Sequence, residues 1–208
     1  MIFEIAKRKV DSSSDPLIIS EIGINHNGNL DIAIAIADSA IKAGAEMLKH
    51  QTHLPDEEMS LEAKKAIPGN SKKSIYSIIK SCTLSETDEL KLMKYIKSKK
   101  KIFISTPFCK AAVDRLVKFD VPAFKIGSGE CNNLNLIKYI CQFKKPIIMS
   151  TGMNSLANIK PIVNFINKKK IPLALLHCTN VYPTPLEKSR LNSISLMKKI
   201  FKNNVIGY

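Results

Sequence analysis

Tryptophan is absent from the 208 residues, and arginine occurs only as Arg8, Arg115 and Arg190. No apolar run approaches the roughly 18 residues that a membrane span requires. The amino terminus carries no apolar block of signal-peptide length. Five cysteines, Cys82, Cys109, Cys131, Cys141 and Cys178, are scattered with no Cys-x-x-Cys pair. That odd, scattered pattern suits reduced thiols and leads us to expect a cytoplasmic protein. The net charge of +14 raises nucleic acid as a partner. The scarcity of arginine argues against it, because bidentate phosphate and guanine contacts favour guanidinium. The lysines also gather where helices should end, at 97–101 and 168–170, where they complement the helix dipole. We therefore expect a solvated lysine-rich surface, with no nucleic-acid and no membrane partner.

Short β-rich runs alternate with helical patterns along the whole chain. Strands are predicted over 17–22, 47–52, 102–106, 123–128, 146–151 and 173–179, and from 205 onward. Helices are predicted over 31–43, 85–97, 110–119, 133–143, 156–167 and 188–201, with Pro161 expected to start or kink the fifth of them. Such βα repetition implies a parallel sheet with helical crossovers. An open doubly wound sheet and a closed (β/α)8 barrel compete. Polar residues stand at the carboxyl end of nearly every strand: Glu21, Lys49 with Gln51, Thr106, Lys125 with Ser128 and Glu130, Ser150, and Asn180. In a TIM barrel all these ends converge on one mouth, whereas an open sheet concentrates function at a switch point, so the barrel is preferred. Six complete strands and the start of a seventh predict a barrel truncated within the seventh strand. Residues 1–15 are read as a lead-in and 16–208 as the incomplete barrel. The long segment between the second and third strands should hold more than one helix, and its Ile67-Pro-Gly-Asn70 turn could form a lid.

Strand alternation places Lys49, Gln51 and His53 on one face and turns His50 toward the helices. A buried, hydrogen-bonded role is expected for His50. His26 could either touch a substrate or brace its loop, and His177 reads as a satisfied core or near-mouth histidine. The four histidines make no metal-ligand pattern. Lys49 and Lys125 end strands among apolar neighbours, where an unpaired ammonium is costly. Each could form a buried salt bridge to Glu21 or Glu130, clamp an anion, or act as a Schiff-base nucleophile. The run Lys125-Ile-Gly-Ser-Gly-Glu130 favours the anion clamp, since its small residues let backbone N–H groups and Ser128 come close to an anion.

Seven motifs in register resemble the N-acetylneuraminate (sialic acid) synthase family: Glu21-Ile-Gly-Ile-Asn-His-Asn-Gly28, Lys49-His-Gln-Thr-His53, Ile67-Pro-Gly-Asn70, Ser105-Thr-Pro-Phe108, Phe124-Lys-Ile-Gly-Ser-Gly-Glu-Cys-Asn-Asn133, Ser150-Thr-Gly-Met-Asn154 and His177-Cys-Thr-Asn-x-Tyr-Pro-Thr-Pro185. The Lys-His-Gln-Thr-His and Ile-Pro-Gly-Asn forms are closer to the sialic acid branch than to the legionaminic or pseudaminic branches. The resemblance implies condensation of phosphoenolpyruvate with open-chain N-acetylmannosamine, with release of phosphate. It implies that Lys49, Thr106, Lys125, Ser128, Ser150 and Asn180 hold phosphoenolpyruvate. Gln51, Asn70 and Tyr182 would contact the sugar, and Glu21 and Glu130 would act near the reacting atoms. It also implies a divalent Mn or Mg ion and a homodimer in the full-length enzyme. The family's metal ligands and its antifreeze-like domain would lie beyond Tyr208, so this chain alone is expected to bind no metal and to be inactive. The alternatives are a related nonulosonic acid synthase of the legionaminic type, a Schiff-base barrel aldolase, and a basic, non-catalytic binding remnant.

Overall fold

A computed structural model describes residues 2–11, 13–69, 71–181 and 183–208. The described chain is α/β and divides into two compact units, one of residues 17–121 and one of residues 1–16 with 122–208.

The 17–121 unit carries three parallel strands in sequential order: β3 (Ile19–Gly23), β4 (Met47–Thr52) and β5 (Ile102–Pro107). The crossover between β3 and β4 is α1 (Leu30–Lys42). Asn29 caps it by accepting the Ile32 N–H at 3.1 Å, and Gly44, at φ +96°, follows its end. The long crossover from β4 to β5 holds α2 (Pro55–Glu58), α3 (Ile75–Cys82) and α4 (Glu86–Ser98), as its length predicts. Ser85 caps α4, its hydroxyl accepting the Asp88 N–H at 3.1 Å. Helix α5 (Lys110–Lys118) leaves β5 and buries Ala112, Val113 and Leu116.

The other unit carries four parallel strands: β6 (Phe124–Ile126), β7 (Ile147–Ser150), β8 (Leu173–Leu176) and β9 (Val205–Gly207). Helices α6 (Leu134–Ile140), α7 (Leu156–Lys168) and α8 (Asn192–Ile200) connect them. Helix α7 starts five residues before Pro161 and runs through it. Proline there removes the N–H that would bond to the Ala157 carbonyl, but both residues lie on the exposed face. Helix α8 starts later than predicted, because a 3-10 turn over Leu186–Lys188 is followed by Arg190 at φ +49°. Strand β6 stops earlier than predicted, at Ile126, where Ser128–Glu130 turn into a 3-10 helix.

The first fifteen residues are more than a lead-in. β1 (Phe3–Ile5) and β2 (Arg8–Val10) form an antiparallel hairpin. Phe3 and Ile5 are buried, and the hairpin turns through Ala6 and Lys7, both at positive φ. Hairpin turns of this hand usually announce themselves by Asn-Gly or Asp-Gly, and Ala-Lys carries no such signal. Among the described residues no helix is long and apolar enough to cross a membrane.

Candidate functional site

In the 17–121 unit the register of β3, β4 and β5 sets the polar side chains side by side. Glu21 pairs across to Lys49, and Gln51 across to Thr106. Lys49 and Glu21 form an ion pair in which Lys49 is largely buried and Glu21 is more open. Of the readings left open for Lys49, the salt bridge to Glu21 is thus present. The Thr106 hydroxyl is buried and has no hydrogen-bond partner among the described residues. A buried hydroxyl left unsatisfied costs about 1–3 kcal/mol, so its position at the carboxyl end of a strand suits a ligand atom.

Gln51 and His53 share a face, as strand parity predicts, with His53 Nε2 at 3.0 Å from Gln51 Oε1. His53 Nδ1 lies 2.9 Å from Glu58 Oε1, and Phe108 stacks on the ring at 4.1 Å. His50 and Thr52 point the other way. His50 Nδ1 meets the buried Glu89 carboxylate at 3.1 Å, and Thr52 donates to the same carboxylate. Arg115 completes this cluster through a 3.1 Å bond to Glu89 Oε2. Burial opposes ionisation of Glu89. The hydrogen bonds from His50, Thr52 and Arg115 outweigh it and hold the carboxyl below its ordinary range. His26 braces its loop: its Nδ1 accepts the Gly28 N–H at 3.1 Å and its Nε2 meets His50. Gly28 is required there. At φ +73° a Cβ would stand 2.8 Å from the Ser81 carbonyl oxygen.

In the other unit, Lys125 is buried and donates to Ser150 Oγ at 2.6 Å and to the Ile126 carbonyl at 2.8 Å. Ser128 and Asn180 converge on Gly152, where an added Cβ would come within 2.9 Å of Ser128 Oγ and 2.4 Å of Asn180 Oδ1. Asn154 ties this corner together by donating to the Ser128 and Gly152 carbonyls at 3.0 and 2.6 Å. Lys125, Ser128, Ser150 and Asn180, separated by up to 55 positions in the sequence, therefore lie at neighbouring carboxyl ends of β6, β7 and β8. An ammonium, two hydroxyls and a carboxamide so placed can hold an anion. Glu130 accepts from Asn133 at 2.6 Å. His177 meets the Ser189 carbonyl at 2.9 Å and lines a cavity of about 560 Å³ with Asn154, Lys188 and Arg190. Burial pushes the Cys131 thiol up to about 11, which makes it a poor nucleophile at neutral pH. Asn70 and Tyr182, expected at the sugar, lie outside the described residues. Among the described residues no group of three or more His, Cys, Asp or Glu side chains could hold a metal ion.

Sequence reasoning passed over Glu58, Glu89 and the role of Arg115, and met Phe108 and Gly152 only as members of motifs, with no role of their own. Only Glu89 carried a signal. It stands on the apolar stripe of α4 with Leu92, Met93 and Ile96, where a charge needs a buried partner.

The model of the NeuB family matches residues 36–208. The N,N'-diacetyllegionaminic acid synthase of Campylobacter jejuni is 36% identical over 209 residues, which cover 92% of this chain and 59% of that protein. The N-acetylneuraminate-9-phosphate synthase of Mus musculus is 30% identical over 195 residues, covering 92% of this chain and 54% of that protein. A crystal structure of the sialic acid synthetase of Leptospira borgpetersenii superposes with a TM-score of 0.88 at 27% identity, covering all of this chain and 69% of that one. The chain thus spans little more than half the length of the curated relatives it matches.

Proposed function

The chain belongs to the NeuB family, and on that premise we propose that the full-length protein condenses phosphoenolpyruvate with an open-chain N-acetylated amino sugar, N-acetylmannosamine first, to give N-acetylneuraminate and phosphate. The fold we propose is a (β/α)8 barrel, of which this chain supplies the described strands. The observation that carries the reading is the buried Lys125 ammonium donating to Ser150 Oγ at 2.6 Å, with Ser128 and Asn180 in the same unit.

In the reaction, C3 of phosphoenolpyruvate attacks the sugar aldehyde and forms the carbon–carbon bond. Water adds to the cationic C2, and the C2–O bond then breaks to release phosphate. Substrate and product both carry concentrated negative charge, so preorganised cations and donors lower the barrier. In the 1–16 and 122–208 unit, Lys125, Ser128, Ser150 and Asn180 are the proposed anion-binding groups. In the 17–121 unit, Lys49 and the unsatisfied Thr106 hydroxyl serve the same purpose. Glu21, held by Lys49, is the proposed group that orients the sugar or moves a proton, with Glu130 as a hydroxyl partner or second acid/base. Gln51, Asn70 and Tyr182 are proposed to contact the sugar. A homodimer and a Mn or Mg ion accompany this proposal on family resemblance alone. The described residues do not form a metal site.

The 36% identity to a legionaminic acid synthase favours a second reading in which a related diacetylated sugar is the acceptor. The test is phosphate release from phosphoenolpyruvate by the purified full-length protein, offered each sugar in turn and treated in parallel with borohydride and pyruvate. Sugar-dependent phosphate release with a nonulosonic acid product is expected, and the preferred sugar decides between the two synthase readings. No release with either sugar, or a borohydride-trapped pyruvate adduct on Lys49 or Lys125, would overturn both in favour of a binding remnant or an aldolase.

A further inference from the structure

His53 belongs to none of the groups assigned above, yet it is held on three sides. Its Nδ1 faces Glu58 Oε1 at 2.9 Å, its Nε2 faces the Gln51 carboxamide at 3.0 Å, and Phe108 stacks on the ring at 4.1 Å with planes 11° apart. His53 and Glu58 are both about 6% exposed in their side chains. The second oxygen of Glu58 accepts the Leu54 N–H at 3.2 Å, which fixes the carboxylate at the start of α2. The ring therefore has one orientation, set by a carboxylate that can only accept and an aromatic plane that blocks rotation.

Gln51 gains from this. The last torsion of a glutamine is broad and roughly two-fold, and its two ends are chemically opposite, a donor and an acceptor. A glutamine free to rotate presents either end to a ligand. With one end bonded to His53 Nε2, the other end alone remains for the substrate. We propose that His53 is a positioning residue that fixes the rotation of the Gln51 carboxamide and so decides which of its ends meets the sugar, with Glu58 and Phe108 holding His53 in place. This rests on the assignment of Gln51 to the sugar. The carboxamide lock itself is independent of it.

Two measurements on the full-length protein test the inference. The first is kinetic. His53→Asn keeps a nitrogen near the Glu58 side but loses the Nε2 contact, and we expect the KM for the amino sugar to rise about tenfold while the KM for phosphoenolpyruvate stays unchanged. His53→Gln, whose longer amide reaches toward Gln51, should recover part of the loss. In a Gln51→Ala background His53→Asn should add little, because residues acting through one contact are not additive. The second is the 15N relaxation order parameter of the Gln51 side-chain amide. A locked carboxamide gives a value close to that of rigid backbone, about 0.85, in the unmodified protein, and His53→Asn lowers it below about 0.6.

Additive effects of the two substitutions, or a Gln51 side-chain order parameter below about 0.6 in the unmodified protein, would overturn the inference. The order parameter of the unmodified protein decides even if both variants unfold. A protein inactive on every sugar whose Gln51 amide is rigid and is loosened by His53→Asn would defeat the proposed function and leave the lock standing.

Discussion

His26 Nε2 lies 3.2 Å from His50 Nε2, and the two rings stack with centroids 5.3 Å apart. The contact fixes the protons along a buried chain. His26 Nδ1 accepts the Gly28 N–H, so the Nε2 of the neutral His26 ring carries the proton and donates it to His50 Nε2. His50 must then carry its proton on Nδ1, which faces the Glu89 carboxylate at 3.1 Å. The loop after β3 is thereby tied to β4, and β4 to α4, through groups 24 and 39 positions apart. Lys49 and Gln51 alternate with His50 on β4, so the network that holds His50 also holds the strand that carries them.

Acid should weaken the protein in two stages. Burial, aided by the neighbouring His50, pushes His26 down to about 4 from an ordinary 6.5. Between those values the unfolded chain takes up a proton that the folded ring refuses. Stability is therefore intact above about pH 6.5 and falls toward pH 4, by up to about 3 kcal/mol for a shift of this size. The depressed Glu89 carboxyl adds stability that is present above its ordinary 4.5 and lost as pH falls further. Urea denaturation of the full-length protein from pH 7.5 to 4 should show the first stage. His26→Asn should flatten the slope above pH 4.5, and an unchanged slope would contradict the buried, neutral ring.

Thr106→Val exchanges a hydroxyl that lacks a partner among the described residues for a methyl group of the same shape. Removing an unsatisfied buried polar group should leave stability unchanged or raise it by about 1 kcal/mol. If Thr106 serves phosphoenolpyruvate, the same change should raise the KM for that substrate about tenfold, the factor that corresponds to one lost hydrogen bond. Thermal melting and steady-state kinetics of one variant thus separate the two roles. A stability loss larger than 1 kcal/mol would show that the hydroxyl already has a structural partner.

Gly152→Ala should spare the fold and damage the anion groups. The new Cβ meets Asn180 Oδ1 and Ser128 Oγ, the movable ends of two side chains, as well as Cys178 Cβ at 3.1 Å. Gly152 does not require positive φ, so the backbone accepts alanine. We expect less than about 1.5 kcal/mol of destabilisation and a disproportionate rise in KM for phosphoenolpyruvate. Equal KM in the two proteins would remove Ser128 and Asn180 from the proposed anion site.

Much of the fold was legible before any coordinates. The strand over Met47–Thr52 and the helices beginning near Leu30, Glu86, Lys110 and Leu156 follow hydrophobic period, capping residues and stop signals, which are local. Strand period alone placed Lys49, Gln51 and His53 together and His50 with the helices. The misses lie where local signals were absent or overridden. The Ala6–Lys7 turn lacks turn chemistry, and its hairpin forms because Phe3 and Ile5 find buried surface. Arg190 at positive φ splits a segment whose composition is helical throughout.

The sequence by itself determined the βα order, the face on which each strand residue stands, and family membership, because periodicity and motif order are properties of the chain. Tertiary structure alone decided which of those residues meet. Glu89 answers His50 and Arg115, Gly152 makes room for Ser128 and Asn180, and Thr106 has no partner among the described residues. Those outcomes depend on distances between segments far apart in sequence. Local propensity carries no information about them, since the free energy that selects them comes from burial and pairing that exist only once the chain has packed.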